Sequence, residues 1–146
     1  MKKLLLLLNI LFLVVVGYAA PANDLCANAT NLPCATVNLA GTTVASVTES
    51  TFPTTYASKF GVWYKFTGDG QSTTISTTAG AGFDHEMVIM SATGACTGFS
   101  LISDQDVGLS GGTETYTFTS VIGTQYYVYI AYYSTTGLST NTGTFT

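Results

Sequence analysis

The chain has 146 residues and a formal net charge of −4, and only 8% of its residues are charged, against about 25% in an average soluble protein. This length fits one domain that can bury a real core. The shortage of lysine and arginine argues against a nucleic-acid partner, because contacts to a phosphate backbone need clustered cations.

The first 20 residues have the pattern of a secretory signal peptide. A basic start at Lys2 and Lys3 leads into an apolar run from Leu4 to Val16, and small residues follow around Ala20. The run is shorter than the roughly 20 apolar residues that cross a bilayer, so we expect no membrane span in the mature chain. We therefore predict a signal peptide at residues 1–20 and a single secreted domain at residues 21–146.

Strand signals recur at short spacing through the rest of the chain. Runs rich in Thr, Val, Ile, Tyr and Phe alternate with glycine-containing turns, and no stretch after residue 22 sustains a helical apolar period. This punctuation predicts an all-β sandwich or barrel. The predicted strands are Thr42–Val47, Gly61–Thr67, Ser72–Thr77, Glu86–Ser91, Phe99–Ser103, Thr113–Thr119, Gln125–Tyr133 and Thr142–Thr146.

Alternation along the strands predicts which side chains face the core. Residues two apart lie on the same face of a strand, so one face of each strand collects the apolar side chains. The uncharged run Tyr126–Tyr133 is an aggregation hazard at an edge, and we expect it in the centre of its sheet. The predicted core residues are Val62, Tyr64, Phe66, Ile75, Met87, Ile89, Tyr116, Phe118, Val128 and Ile130.

The opposite face of two strands is a candidate ligand-binding surface. It would present the aromatic side chains of Tyr127, Tyr129, Tyr133 and Trp63. Sugar rings or an exposed peptide could stack there, because an aromatic ring offers an apolar face and tyrosine adds a polar rim. The alternative is that outward tyrosines simply suit a strand and pack against threonine neighbours.

The chain has three cysteines, so at least one of them has no disulfide partner within the chain. At most one intramolecular disulfide can form among Cys26, Cys34 and Cys96. We favour Cys26–Cys34, because these two are close in sequence and flank the entry to the domain, over a pair that includes Cys96.

The acidic residues are the candidate metal ligands. Calcium takes six to eight oxygens from carboxylates, carbonyls and water in loops. The alternative is that these acids are solvated and cap their own turns, since no calcium-loop spacing is present. Calcium is the one cofactor that the sequence suggests, and its candidate ligands are Asn23, Asp24, Asp84, Asp104 and Asp106.

No residue pattern predicts catalysis. The triplet Asp84-His85-Glu86 contains the sole histidine, but neighbours in a strand point to opposite faces, and neither a nucleophile turn nor a second metal-binding histidine accompanies it. We interpret this triplet as a surface or loop-edge feature and expect no enzyme activity.

Several short motifs, in order, resemble those of bacterial pre-peptidase C-terminal-like domains, in the version common in Bacteroidetes secreted and surface proteins. The resemblance covers essentially all of residues 21–146. The motifs that carry it are Asn23-Asp24-Leu25-Cys26, Val62-Trp63-Tyr64-Lys65-Phe66, Phe83-Asp84-His85, Asp104-Gln105-Asp106, Gly123-Thr124-Gln125-Tyr126-Tyr127-Val128 and Thr142-Gly143-Thr144-Phe145-Thr146.

The resemblance implies a jelly-roll-like antiparallel β-sandwich without catalytic function, on a secreted or cell-surface bacterial protein. Some relatives bind collagen, polysaccharide or calcium. A second family cysteine is missing after Cys96, which implies that Cys96 is a free, buried thiol. The family's last strand runs past the final motif, so the domain is expected to be truncated in its C-terminal strand, with further domains following Thr146.

The leading functional hypothesis is a non-catalytic secreted accessory or adhesion domain. It would bind an extracellular polymer, either a polysaccharide or a matrix protein, or stabilise a neighbouring domain. Two alternatives stay open: the N-terminal fragment of a secreted hydrolase, such as a peptidase, and a self-assembling structural subunit of the cell surface.

Overall fold

The computed structural model describes residues 17–49, 57–137 and 139–146, and this part of the chain forms an all-β sandwich. A short 3-10 turn at Cys26–Asn28 is the only helical element in these ranges, and no helix there has the length and hydropathy needed to cross a membrane. The strands are β1 (Thr30–Asn31), β2 (Gly41–Thr42), β3 (Ala57–Thr67), β4 (Ser72–Thr78), β5 (His85–Gly94), β6 (Thr97–Gln105), β7 (Thr113–Thr119), β8 (Gln125–Tyr133) and β9 (Thr144–Phe145).

The largest layer is a five-stranded sheet in the order β1-β3-β8-β5-β6. Its neighbours pair antiparallel except for β1, which runs parallel to β3. Strand β8 has the predicted bounds and lies in the middle of this sheet, which confirms its predicted central position. Because β3 pairs with one edge of this uncharged strand and β5 with the other, neither edge is left open to another chain.

One face of this sheet carries the predicted core. The β4–β7 pair packs over it, and all ten predicted core residues belong to this one apolar cluster, six of them buried and the remaining four partly buried against them. Alternation therefore assigned this face correctly, because one residue in two must point towards the second layer.

The opposite face of the same sheet is also buried, which alternation did not predict. The cluster there includes Val88, Met90 and Ala131, and the segment around Cys26 and Ala29 packs over it. Both faces of this sheet are covered, so neither faces solvent. The side chains on the face opposite the predicted core are therefore apolar because they are buried too.

A disulfide between Cys26 and Cys96 fastens the covering segment, so the predicted Cys26–Cys34 bond is wrong. The two half-cystines are separated by 70 positions in sequence, and Cys96 lies in the turn between β5 and β6. The expectation of a free Cys96 is wrong for the same reason, and the unpaired thiol is Cys34, which is exposed. Nearness in sequence failed as a guide because the covering segment crosses the sheet towards the far hairpin.

The second layer is built from two short ladders, β2–β9 and β4–β7, joined by an antiparallel bridge between Ala79 and Phe145. Strands β2 and β9 are two residues long each, shorter than predicted. On the outer surface of β4–β7, facing hydroxyls form three cross-strand pairs with oxygen–oxygen distances of 2.8 Å, namely Thr74–Thr117, Ser76–Thr115 and Thr78–Thr113.

Candidate functional site

The predicted aromatic binding face lies in the interior. Trp63 and Tyr129 have no exposed surface, Tyr127 is 3% exposed and Tyr133 is partly buried. The ring of Trp63 stacks on Phe99 at a centroid distance of 5.6 Å and lies 4.6 Å from the ring of Tyr129. Sugar rings cannot stack on this cluster in the folded protein, so its prediction as a ligand surface is wrong.

Two hydrogen bonds between Asn23 and the backbone of Trp63 explain why these rings are covered. The backbone N–H of Trp63 donates to the carbonyl oxygen of Asn23 at 2.8 Å, and the side-chain amide of Asn23 donates to the carbonyl oxygen of Trp63 at 2.9 Å. Asn23 therefore extends the outer edge of β3 and leads the chain over the rings. Tyr129 is tied down as well, because its hydroxyl donates to the carbonyl oxygen of Ser58 at 2.9 Å.

The five predicted calcium ligands do not form one group. Asn23 lies on the outer edge of β3, whereas Asp104 lies in β6, at the other edge of the sheet. Trp63, Tyr129, Val88 and Asp104 are successive partners across four strands, which separates the two edges by about 14 Å. The buried Asp24 follows Asn23 on the β3 side.

Three of the predicted ligands do lie in one acidic cluster, which we define as Asp84, Glu86, Asp104, Asp106 and Glu114. Burial raises the pKa values of Glu86 and Asp106, and the negative charges of the neighbouring carboxyl groups in the cluster add to the increase. The described residues nevertheless contain no group of three Asp, Glu, His or Cys side chains arranged to hold a metal ion. As placed, the acidic cluster does not fit a calcium site, because calcium needs convergent oxygens.

Glu114 has a structural task in this cluster. Its carboxylate accepts backbone hydrogen bonds from Val107 at 3.0 and 3.1 Å and from Gly108 at 2.6 Å. The side chain has no exposed surface. Because charged acceptors make the stronger hydrogen bonds to N–H groups, Glu114 holds the loop between β6 and β7 in place.

Glu86 is the least accommodated carboxyl group of the cluster. It is 1% exposed, and its Oε2 has no hydrogen-bond partner among the described residues. Burial raises the pKa of Glu86 to about 10, and hydrogen bonding to Asp104 and the negative charges of Asp106 and Glu114 add to the increase. A buried carboxyl group in this setting is a neutral acid at neutral pH.

We expect the free energy of unfolding to fall as the pH rises from 7.5 to 9. A pKa raised in the folded state gives stability that is complete below the unfolded value and is lost as the pH approaches the folded value. In this window the unfolded chain has an ionised Glu86 and the folded chain a protonated one. The titration of Glu86 should therefore lower the free energy of unfolding by at most about 1.4 kcal/mol per pH unit. Urea unfolding at several pH values measures this slope.

Two variants isolate Glu86 as the source of this slope. Glu86→Gln keeps the shape and removes the titrating proton, so its stability should change little over the window and should exceed that of the parent at pH 9. Asp69→Asn is the matched control. A hydrogen bond from the backbone N–H of Gln71 lowers the pKa of the exposed Asp69, so this carboxyl group does not titrate between pH 7.5 and 9, and the slope of the variant should equal the parent slope. An unchanged slope in Glu86→Gln would mean that the folded protein ionises Glu86.

His85 and Glu86 are buried, so the triplet Asp84-His85-Glu86 is not the surface feature that the sequence predicted. As alternation requires, the two side chains face opposite sides of the sheet. His85 Nε2 lies 2.6 Å from the hydroxyl of Thr77, and the ring stacks beside Phe83 at 6.0 Å. Burial lowers the pKa of His85, which keeps the imidazole neutral near pH 7.

A cleft of about 370 Å³ lies between the two layers. Its floor is the sheet, at Tyr64, Phe66, Val128 and Ile130, and one wall is the segment that joins β1 to β2. The other wall is β4, which contributes each residue from 72 to 77. Because successive side chains of a strand point to opposite faces, six successive lining residues mean that the backbone edge of β4 borders the cleft.

The cleft combines an apolar floor with a hydroxyl-rich rim. Its lining residues include Ile75 and Phe145, and Asp69 is the only one of them with a charged side chain. The remaining polar groups come mostly from threonine and serine, and the exposed thiol of Cys34 lies on the wall opposite β4. This arrangement fits an uncharged ligand with both apolar and hydrogen-bonding parts.

Sequence reasoning missed the cleft although it identified several residues of its floor. Tyr64, Phe66, Val128 and Ile130 were predicted as core, and they do pack in the core cluster. Among the described residues, β4 pairs with β7 on one side only between Ser72 and Thr77. Which strand edges are paired depends on segments that are remote in sequence, and alternation within one strand carries no signal for it.

Comparison with known proteins yields no relative: neither a protein-family model, nor a curated protein, nor a solved structure matches the chain.

Proposed function

We propose that this chain is a non-catalytic, extracellular binding domain and that the cleft between β4 and the β1–β2 segment is its binding site. The observation that carries the proposal is the cleft itself, with its apolar floor, its hydroxyl rim and its volume of about 370 Å³. Ligand pockets commonly have roughly 300–1,000 Å³ and combine mainly apolar walls with a few orienting polar groups.

The proposed ligand is an extracellular polymer, either a polysaccharide or a protein. The signal-peptide pattern of residues 1–20 favours an extracellular ligand, and the resemblance to pre-peptidase C-terminal-like domains favours an accessory or adhesion role. With the aromatic cluster around Trp63 buried, the cleft replaces it as the surface on which binding is proposed.

Filling the cleft tests this proposal. Ile75 lies on β4 and faces the sheet, whereas Thr117 on β7 is exposed on the outer surface and does not line the cleft. Ile75→Trp should occupy the cleft and reduce binding to the polymer at least tenfold, and Thr117→Trp, the matched control, should leave binding unchanged. The measurement is co-sedimentation with insoluble cellulose, chitin, xylan and collagen, followed by titration with the polymer that is retained.

Two results would contradict the proposal. One is binding that is equally strong in Ile75→Trp and in the parent, which would move the site to another surface. The other is the absence of binding to every polymer of the panel by a parent protein whose folding has been verified by circular dichroism.

A further inference from the structure

The outward face of the β4–β7 ladder carries only hydroxyl side chains. The ladder is antiparallel and continuous over seven residue pairs, and every second residue of each strand is exposed. All eight of these exposed side chains belong to serine or threonine. We call this set the hydroxyl array, and its members are Ser72, Thr74, Ser76 and Thr78 of β4 and Thr113, Thr115, Thr117 and Thr119 of β7.

The hydroxyl array is regular in two directions. The backbone groups of Thr78 bond to Thr146, on the side of β4 away from β7, so Thr78 and Thr113 face each other as a pair without mutual backbone hydrogen bonds. Every second pair of an antiparallel ladder is of the same type, so all four pairs of the array have the close Cα–Cα spacing of about 4.5 Å. Along each strand the array repeats at every second residue, or about 6.8 Å. The eight side chains therefore form a grid with two fixed spacings.

The hydroxyl groups of the array hold one another in place. Three of the four pairs are hydrogen-bonded across the ladder, each with an oxygen–oxygen distance of 2.8 Å. In each of these pairs one hydroxyl donates to the other, so one O–H group and several lone pairs remain for a ligand. The distance is also the usual one between hydrogen-bonded hydroxyl oxygens. Each pair therefore places two oxygen atoms as two hydrogen-bonded water molecules would be placed.

The hydroxyl array is free of charged and aromatic side chains. The chain has 8 acidic residues, but the only one in these two strands, Glu114, is fully buried. Tyr116 and Phe118 alternate with the array and pack in the core. The array thus lacks the aromatic rings on which sugars stack, and it lacks the aromatic and arginine side chains in which protein interfaces are enriched.

We propose that the hydroxyl array binds ice, which is a function beyond polymer binding at the cleft. The prism face of hexagonal ice repeats in two perpendicular directions, and its two repeat distances are close to the two spacings of the array. The paired hydroxyls take the positions of lattice water molecules, and the threonine methyl groups fill the space between them. The match in charge is part of the argument, because ice is an uncharged surface and charged side chains would keep their own hydration shells. Strand β9 neighbours β4 within the same layer, so it lies beside this face and does not cover it.

Partition into a slowly growing ice crystal tests this inference. A fluorophore is attached to the exposed thiol of Cys34, which lies on the wall of the cleft and outside the array. A growing crystal excludes solutes that do not bind to it. The labelled chain should enter the ice at least tenfold more than labelled serum albumin, and a single crystal grown in its solution should fluoresce on the prism faces.

Substitutions at the centre of the array locate the contact. Thr115→Tyr places a bulky ring among the hydroxyls and should reduce the incorporated amount at least fivefold. Thr97→Tyr is the matched control, because Thr97 is an exposed threonine of β6 outside the array, and it should enter ice like the parent. Thr115→Lys adds a charge in place of a ring and should have the same effect as Thr115→Tyr, so the test holds even where one of the two fails to fold. Circular dichroism verifies the fold of each variant.

Three outcomes would overturn the inference. The first is exclusion of the parent from ice to the same extent as albumin. The second is equal incorporation of the parent and the folded Thr115 variants, which would move the ice contact to another surface. The third is exclusion from ice together with a concentration-dependent association that Thr115→Tyr abolishes, which would assign the array to contact between copies of the chain. The proposed function is tested separately, because Ile75→Trp fills the cleft and leaves the array unchanged.

Discussion

Replacing Cys96 by serine is expected to lower the free energy of unfolding by about 4 kcal/mol. The disulfide closes a loop across a sequence separation of 70, and the chain-entropy relation gives about that loss for a loop of such length. The same bond holds the covering segment over the cluster of Trp63 and Tyr129. Urea unfolding followed by circular dichroism measures the difference, and Cys26→Ser should give the same result within error.

Cys34→Ser is the matched control for this prediction. Cys34 is exposed and unpaired, so its substitution should change stability by less than about 0.5 kcal/mol. Peptide mapping of the oxidised protein should recover a fragment that joins Cys26 to Cys96. A fragment that joins Cys26 to Cys34, or a loss of stability in Cys34→Ser as large as that in Cys96→Ser, would contradict the observed pairing.

Trp63→Ala is expected to destabilise the protein by about 3–5 kcal/mol, as truncation of large buried aromatic side chains does. Trp63 has no exposed surface and contacts Phe99 and Tyr129 through its ring. Removing it opens a cavity between the sheet and the covering segment, which the disulfide prevents from closing freely. Circular dichroism during urea unfolding is the suitable measurement, because the only tryptophan is lost.

Ile122→Ala provides the control for an apolar truncation at the surface. Ile122 is 77% exposed in the turn between β7 and β8, and its substitution should cost less than about 0.5 kcal/mol. If Trp63→Ala kept the parent stability and lost only polymer binding, Trp63 would be a surface ligand contact and its buried position would be refuted.

The difference between these residues shows where alternation succeeds and where it fails. In β3, the positions of Val62, Tyr64 and Phe66 were assigned to the core and lie there. Trp63, between them, was assigned to a binding surface and is equally buried. A period of two indicates that the two faces of a strand carry different side chains, but it does not indicate that one of these faces is exposed to water. The composition of the second face, with tryptophan and several tyrosines, was the available signal that it is covered.

The acidic cluster shows a second limit of prediction from sequence, which concerns contacts between strands. Asp84, Asp104 and Asp106 were grouped from sequence and do lie together, but Glu86 and Glu114 were not expected beside them. Their proximity depends on the register between β5 and β6 and on the path of the loop that follows β6. Register is a long-range property, since it is set by partner strands that are remote in sequence.

By itself, the sequence determined the all-β architecture, the core face that packs on β4 and β7, and the central position of β8. These follow from local properties: β-forming residues, a period of two, and the hazard of an uncharged strand at an edge. Only the tertiary structure decided the Cys26–Cys96 bond, the burial of Trp63 and Tyr129, the neighbours of Glu86 and the cleft between the two layers. Each of these features depends on contacts between segments that are far apart in sequence, and a local pattern of residues does not indicate which distant segments will pack together.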